Sequence, residues 1–146
     1  MEVCGSDGKI IHDSLSHGET VSLAGDRTGV ESTYRSIVHY HVGKIQWNEM
    51  IKVSVSTDHF AGSHLRFTFR HCSRNDVKER SQPFAMAFLK LVNSFDGTAL
   101  KDDKHDLCVY KIEKSGRDFE NGKYLGLEEY RDKMFLDKKH VSKEYG

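Results

Sequence analysis

The sequence has little of several features that define other classes of protein. Its 146 residues contain one proline, one tryptophan and three cysteines, and 22 basic residues balance 22 acidic ones. No apolar run approaches the roughly 18 residues of a transmembrane helix, and the first residues lack the charged-then-apolar order of a signal peptide. Cys4, Cys72 and Cys108 show no CxxC spacing, so we expect reduced thiols in a cytosolic protein.

The remaining composition indicates a soluble globular protein with one domain over residues 1–146. Hydrophobic residues make up 37% of the chain and charged residues 30%. The charge is unevenly distributed, because residues 64–100 carry six basic against three acidic side chains, whereas residues 1–63 carry five against eight. The protein is therefore not a generally basic nucleic-acid binder, and its positive charge is concentrated locally.

Apolar residues alternate with a period of two over much of the chain, which predicts an all-β protein. Turn signals at Asp96-Gly97 and Asn121-Gly122 separate the strands, and residues 13–33 are rich in Ser, Gly and Thr and predict a long loop. From Leu127 a helical stripe predicts either a short helix or a mobile tail over residues 128–146, with a partner-binding helix as the alternative. We expect an antiparallel β-sandwich with long loops, which the family resemblance described below makes C2-like. The predicted strands are residues 34–42, 49–55, 64–71, 84–92 and 106–112, with a hairpin around Ser6-Asp7-Gly8.

The nine histidines do not form a recognisable metal or catalytic motif. His39 and His41 would share one face of a predicted strand, but zinc needs further ligands at a suitable spacing. Cys72 directly follows His71, and consecutive side chains at a strand end point apart, which disfavours a nucleophile–base pair. We therefore expect no enzyme activity, no metal and no cofactor.

A cationic loop follows the clearest strand, "HLRFTFRH". The alternation predicts that Leu65, Phe67 and Phe69 face inward and that Arg66 and Arg70 face outward. From residue 70 to residue 80 the net charge is +2, from the basic residues Arg70, Arg74, Lys78 and Arg80.

This charge excludes calcium and favours an anion. Ca²⁺ takes six to eight oxygen ligands, and Asp76 and Glu79 are too few among these cations. Three interpretations stay open: an anionic lipid, an acidic protein partner of a scaffold domain, or a solvated loop. Single-stranded nucleic acid is disfavoured, because Phe67 and Phe69 are expected to face inward rather than between the basic residues.

Several separate blocks resemble one known family. The blocks are "YRSIVHYHV", "WNEMIKV", "GSHLRFTFRHCS", "FAMAFLKL", "DGTALKDDKHDLCVYK" and "YLGL", in this order. Together they closely resemble the C2-type lipid-binding domain (docking homology region one) of the DOCK family of guanine-nucleotide exchange factors. The resemblance covers roughly residues 3–127.

The resemblance implies a calcium-independent, membrane-targeting domain that binds phosphoinositides, phosphatidylinositol trisphosphate first among them. It implies a cytoplasmic protein recruited to the plasma membrane, where other domains of the parent exchange factor act on Rac-type GTPases. It also implies that the family domain begins before Met1 and continues beyond Gly146, so that this chain is incomplete. We expect exposed sheet edges and apolar surface, and therefore poor stability or self-association in isolation.

The resemblance also suggests which residues bind the lipid head group. Lys78 and Arg80 stand where relatives are often basic, beside Arg74, and Arg70 and His71 match the family's "FRH". Relatives often have Pro-Arg where this chain has Ile45-Gln46, and Lys44 is the candidate to replace that charge.

Overall fold

The computed structural model describes residues 1–17, 29–72, 82–112 and 122–127, and these form two antiparallel sheets. The strands are β1 (Glu2–Cys4), β2 (Leu15–His17), β3 (Val30–Glu31), β4 (Ile51–Val53), β5 (His64–Phe69), β6 (Ala85–Lys90) and β7 (Tyr110–Lys111). One sheet has four strands in the order β1-β5-β6-β7, and the other has three in the order β3-β2-β4. One α-helical turn, α1 (Thr57–Phe60), and one 3-10 turn (Lys123–Gly126) accompany them. The fold is thus the predicted all-β, C2-like sandwich.

The four-stranded sheet is centred on β5 and β6, which pair over six residues from His64 opposite Lys90 to Phe69 opposite Ala85. Residues 85–89 of β6 are all buried. Such a continuous apolar run is expected of a strand that is covered on both faces, and the sequence predicted it. Pro83 precedes β6, where its missing N–H removes no bond from the strand ladder.

One face of this sheet is packed by a tyrosine from the end of the described chain. Met86, Phe88 and Tyr124 form a buried hydrophobic cluster. Tyr124 lies in the 3-10 turn that Gly122 opens with a φ of +68°. A Cβ at Gly122 would lie 3.0 Å from the backbone of Asp7 and Gly8, so a glycine is required where this turn meets the β1 hairpin.

The same face carries Arg66, and its predicted outward orientation is wrong. The register places Glu2, Arg66 and Phe88 side by side on one face, and Arg66 is only 6% exposed. Its Nη2 donates to Glu2 Oε2 at 2.6 Å, and its Nη1 donates to the Gly8 carbonyl at 3.2 Å. Leu65, Phe67 and Phe69, which were predicted to face inward, are only half-buried, whereas His64 and Arg66 on the other face are buried. An ion pair with β1 compensates the buried charge of Arg66.

Two other segments differ from their predictions. Residues 34–42 form no strand: their backbone is irregular, His41 has a φ of +52°, and Val38 and Tyr40 are exposed. Consequently His39 and His41 do not share a strand face. Residues 13–33 are not one long loop, because β2 and β3 lie at its two ends and pair with each other. The alternating pattern of residues 34–42 lacks the neighbouring strand that would fix it as β-structure, whereas β2 and β3 supply each other's partner.

The predicted turns are confirmed where the structure describes them. The observed strands are shorter than the predicted ones. The hairpin closes through Gly8 N–H to the Gly5 carbonyl at 3.0 Å, and Gly97 has a φ of +68°. Strands β4, β5, β6 and β7 lie within the ranges predicted for them. The expected helix or tail at 128–146 lies outside the described residues. Within the described part of the chain, no helix has the length and apolar character needed to cross a membrane.

Candidate functional site

The candidate site lies where β5 ends and the cationic loop begins. Arg70 and His71 are exposed directly after the last strand residue, Phe69. The His71 ring stacks on Phe84, with centroids 4.2 Å apart and planes 16° from parallel, and Phe69 lies against Trp47 at 6.3 Å. Aromatic packing therefore fixes the His71 ring at one end of the four-stranded sheet, next to Arg70 in the chain.

Arg35 brings a further positive charge to the same end of the sheet. Glu2 and Thr33 form an isolated antiparallel β-bridge, and the Tyr34 N–H donates to the Met1 carbonyl at 2.8 Å. Residues 33–35 therefore run alongside β1. Burial lowers the pKa of the Met1 amino group, and the nearby charges of Arg66, Arg70 and Arg35 lower it further, against Glu2. Arg35 and Arg70 thus both contribute positive charge near Met1, at the same end of the sheet.

A loop of residues 37–47 stands beside this site and is closed at its neck. The Ile37 N–H donates to Glu49 Oε1 at 3.2 Å, and Trp47 Nε1 donates to the Ile37 carbonyl at 3.3 Å. The Tyr34 hydroxyl donates to the other oxygen of Glu49 and thereby holds that carboxylate in place. Lys44 is exposed in this loop, and the Trp47–Phe69 contact attaches the loop to the end of β5.

The opposite end of β5 carries a buried cluster of titratable groups. His64 Nε2 and the Tyr124 hydroxyl share a hydrogen bond of 2.6 Å, and Cys4 is fully buried beside them. Burial raises the pKa of the Cys4 thiol to about 11 and that of Tyr124 to about 12, and it lowers the pKa of His64 to about 4. Near neutral pH all three groups are uncharged, so Cys4 is a poor nucleophile and the cluster is part of the core.

The structure places only some of the predicted site residues. Arg70 and His71 lie together after β5, and Lys44 lies in the neighbouring loop. Arg74, Lys78 and Arg80 lie outside the described residues. The sequence did not point to Arg35, because the alternation of residues 34–42 predicts a strand. Arg35 lies beside β1 because Glu2 and Thr33, which are distant in sequence, form an isolated β-bridge.

Cys4, Cys72 and Cys108 are free cysteines. Within the described ranges, no group of three or more His, Cys, Asp and Glu side chains is arranged to hold a metal ion.

The family model for the C2 domain in Dock180 and Zizimin proteins matches residues 1–144. The chain belongs to the DOCK C2 family. It is 42% identical over 127 residues to dedicator of cytokinesis protein 3 of Homo sapiens and of Mus musculus, and 35% identical to dedicator of cytokinesis protein 4 of Mus musculus. Each alignment covers 87% of this chain but 6% of the relative, so this DOCK C2 chain spans a small part of the length of these proteins.

Proposed function

We propose that this DOCK C2 domain is a calcium-independent, phosphoinositide-binding module that brings its parent exchange factor to the plasma membrane. The observation that carries the proposal is the exposed pair Arg70 and His71, held after β5 near Arg35 at the start of the cationic loop. Guanidinium groups bind phosphate oxygens through paired hydrogen bonds, and several convergent cations suit a multiply phosphorylated head group.

The proposed ligand is phosphatidylinositol trisphosphate, and the proposed parent acts on Rac-type GTPases through another domain. Family membership supports a role within a guanine-nucleotide exchange factor, and the aligned segment is only 6% of each relative. Exchange activity is accordingly assigned to other parts of the parent protein, and this chain is proposed to be a binding domain in the cytoplasm that is recruited to the membrane.

Binding to vesicles tests the proposal. Vesicles that contain phosphatidylinositol trisphosphate should sediment the protein equally with calcium or with a chelator. Each basic residue near an anionic surface contributes about 1 kcal/mol, so the double variant Lys78→Ala/Arg80→Ala should bind at least about tenfold more weakly. Arg70→Ala should bind severalfold more weakly.

A matched control removes two positive charges from the other end of the sheet. Lys101 and Lys104 are exposed after the 93–98 turn, on the side where β5 begins. Lys101→Ala/Lys104→Ala should leave binding within twofold of the wild type. Equal losses of vesicle binding in both double variants would mean that binding depends on the net charge of the domain and not on the proposed site. Absence of lipid binding, with capture of an acidic protein partner that depends on Arg70, would instead favour a scaffold domain.

A further inference from the structure

A cleft lies where β5 begins, at the opposite end of the four-stranded sheet from Arg70. It is lined by the β1 hairpin, the residues that lead into β5, the residues that end and follow β6, and the 3-10 turn. Its volume is about 210 Å³, whereas sites for drug-sized ligands have roughly 300–1,000 Å³. The cleft therefore suits a small ligand. We call it the serine cleft, and its polar lining residues are Ser6, Ser63, His64, Lys90, Asn93 and Ser94.

One polar atom of the serine cleft is buried without a hydrogen bond. His64 is 1% exposed, and its Nε2 shares a hydrogen bond with the Tyr124 hydroxyl. Its Nδ1 has no partner in the part of the chain that the structure describes. An unpaired buried polar atom is costly, so a ligand that bonds Nδ1 gains affinity from it. Because the imidazole is neutral, Nδ1 carries the ring proton and can donate it whenever the tyrosine hydroxyl donates to Nε2.

Lys90 places a positive charge beside His64. The two residues are paired across β5 and β6, so their side chains lie on the same face of the sheet. The charge of Lys90 lowers the pKa of the imidazole, after the larger effects of burial and of Arg66. Lys90 Nζ also donates to Ser94 Oγ at 3.2 Å, which joins the end of β6 to the turn that follows it. The positive charge is therefore held at the cleft.

The side chains after β6 add uncharged donors. The Ser94 oxygen accepts from Lys90, so its O–H can donate to a ligand. Asn93 Oδ1 accepts from the Phe95 N–H at 2.9 Å, which leaves the NH₂ group of this amide as a donor. Among the described residues that line the cleft, none is Asp or Glu. One cation with several uncharged donors and no carboxylate favours an anion.

We propose that the serine cleft binds a soluble phosphate monoester of the size of phosphoserine. A phosphate has three terminal oxygens, which accept hydrogen bonds from several directions, and the donors of the cleft come from β5, from β6 and from the turn after β6. A carboxylate has two oxygens in one plane and matches fewer of these donors. β5 has six residues, which span roughly 17 Å, so a bilayer that contacts Arg70 lies at the far end of the sheet from the cleft. For this reason the choice of a soluble ligand over a lipid rests on the proposed function.

An NMR titration of the whole chain with phosphoserine tests the site. The backbone amides of Gly62, Ser63 and Ser94 should shift along one saturation curve, and the Nδ1 resonance of His64 should follow the same curve. Serine without its phosphate should produce none of these shifts. Acetate should compete only weakly, because it offers fewer oxygens to the donors of the cleft.

Removing the charge of Lys90 is the decisive substitution. Lys90→Gln keeps a donor toward Ser94 but loses the charge, and it should weaken phosphoserine binding at least about tenfold. The matched control is Lys101→Gln. Lys101 is exposed and follows Leu100, whose N–H donates to the Leu91 carbonyl at the end of β6, but it does not line the cleft. Its variant should bind phosphoserine within twofold of the wild type.

Gly62→Ala tests the shape of the cleft without changing its charge. The added Cβ would lie 3.5 Å from the Cβ of Ser6, which is an ordinary contact, and Gly62 does not have a positive φ, so the fold accepts alanine there. Because both residues line the cleft, the methyl group takes up part of its space. Phosphoserine binding should fall severalfold, while the urea midpoint should stay that of the wild type.

The two proposals fail in different ways. Equal losses in Lys90→Gln and Lys101→Gln, or equally tight binding of acetate, would overturn the phosphate site. Lys90-dependent binding to vesicles of phosphatidylcholine and phosphatidic acid would overturn the soluble ligand, because the same monoester would then be read on a lipid. Lys90→Gln should bind vesicles with phosphatidylinositol trisphosphate within twofold of the wild type, and a tenfold loss there would make the cleft part of the lipid contact. If those vesicles do not bind the wild type but phosphoserine binding still depends on Lys90, the proposed function fails and the phosphate site stands.

Discussion

Arg66 shows how one residue joins two parts of the chain. It lies between β1 and β6, and its guanidinium bonds both the Glu2 carboxylate and the Gly8 carbonyl of the hairpin turn. Burial is the largest single influence on the pKa of this group and lowers it, but the hydrogen bond with Glu2 and the charges of Cys4, Glu2 and Tyr124 together raise the pKa above its usual value, so the charge persists. Because a buried charge without a partner is costly, each member of the pair depends on the other.

Replacing Arg66 should therefore be strongly destabilising. In Arg66→Met the Glu2 carboxylate, which is mostly buried, loses its cationic partner and keeps the hydrogen bond from the Thr33 hydroxyl. We expect the free energy of unfolding, measured in urea titrations, to fall by about 3 kcal/mol. Arg70→Met, four residues further along at the exposed strand end, should change it by less than about 1 kcal/mol. The double variant Glu2→Gln/Arg66→Met should recover part of the loss. Equal effects of Arg66→Met and Arg70→Met would contradict the buried ion pair.

At the scale of elements, the contact between the 3-10 turn and the β1 hairpin depends on Gly122. Gly122 and Gly97 have the same φ of +68°, but their surroundings differ. A Cβ at Gly97 would meet nothing within 4 Å, whereas one at Gly122 would press on the backbone of Ser6, Asp7 and Gly8. Backbone atoms cannot move aside as the end of a side chain can. A side chain at Gly97 would therefore meet only the strain of a positive φ, whereas one at Gly122 would also overlap with neighbouring backbone.

Alanine substitutions at the two glycines measure the cost of the positive φ and the cost of the steric overlap separately. Gly97→Ala should cost about 1 kcal/mol, which is the strain of a positive φ alone. Gly122→Ala should cost at least about 2 kcal/mol, and it should also perturb the near-UV dichroism of Tyr124. The measurement is urea unfolding followed by tyrosine and tryptophan signals. Similar costs for the two variants would mean that the hairpin and the 3-10 turn do not pack as described.

Local sequence signals predicted the elements that depend on neighbouring residues. The sequence alone indicates the apolar run of β6, the turn glycines and the period-two pattern of β5, because each reflects local periodicity or backbone conformation. The pairing of Glu2 with Arg66 and the position of Arg35 beside β1 join residues that are distant in sequence. Residues 34–42 alternate like a strand, but alternation alone does not supply a neighbouring strand, and the backbone of this segment is irregular instead.

At the scale of the whole molecule, His64 links stability to pH. Burial, and then the charges of Arg66 and Lys90, lower its pKa from 6.5 to about 4. Between these values the unfolded chain binds a proton that the folded protein excludes, so this contribution to stability is present above pH 6.5 and is lost as the pH falls to 4. The shift corresponds to about 3 kcal/mol.

The pH dependence can be assigned to His64 by comparing slopes. The wild-type free energy of unfolding should fall between pH 6.5 and 4 more steeply than that of His64→Asn, whatever the absolute stability of the variant. His41→Asn is the control, because His41 is exposed and asparagine tolerates its φ of +52°. It should keep the wild-type slope. An unchanged slope in His64→Asn would show that His64 is not the group that titrates.

The hydrogen bond between His64 and Tyr124 also constrains the order of folding. It joins residues 60 positions apart, and the same tyrosine hydroxyl interacts with Cys4, near the beginning of the chain. During synthesis, β1, β5 and β6 are all made before Tyr124. Tyr124 therefore cannot pack on the sheet face that carries His64 and Phe88 until later in synthesis. Contacts of such long range delay folding. The apolar face of the nascent sheet therefore stays uncovered until Tyr124 has been synthesised.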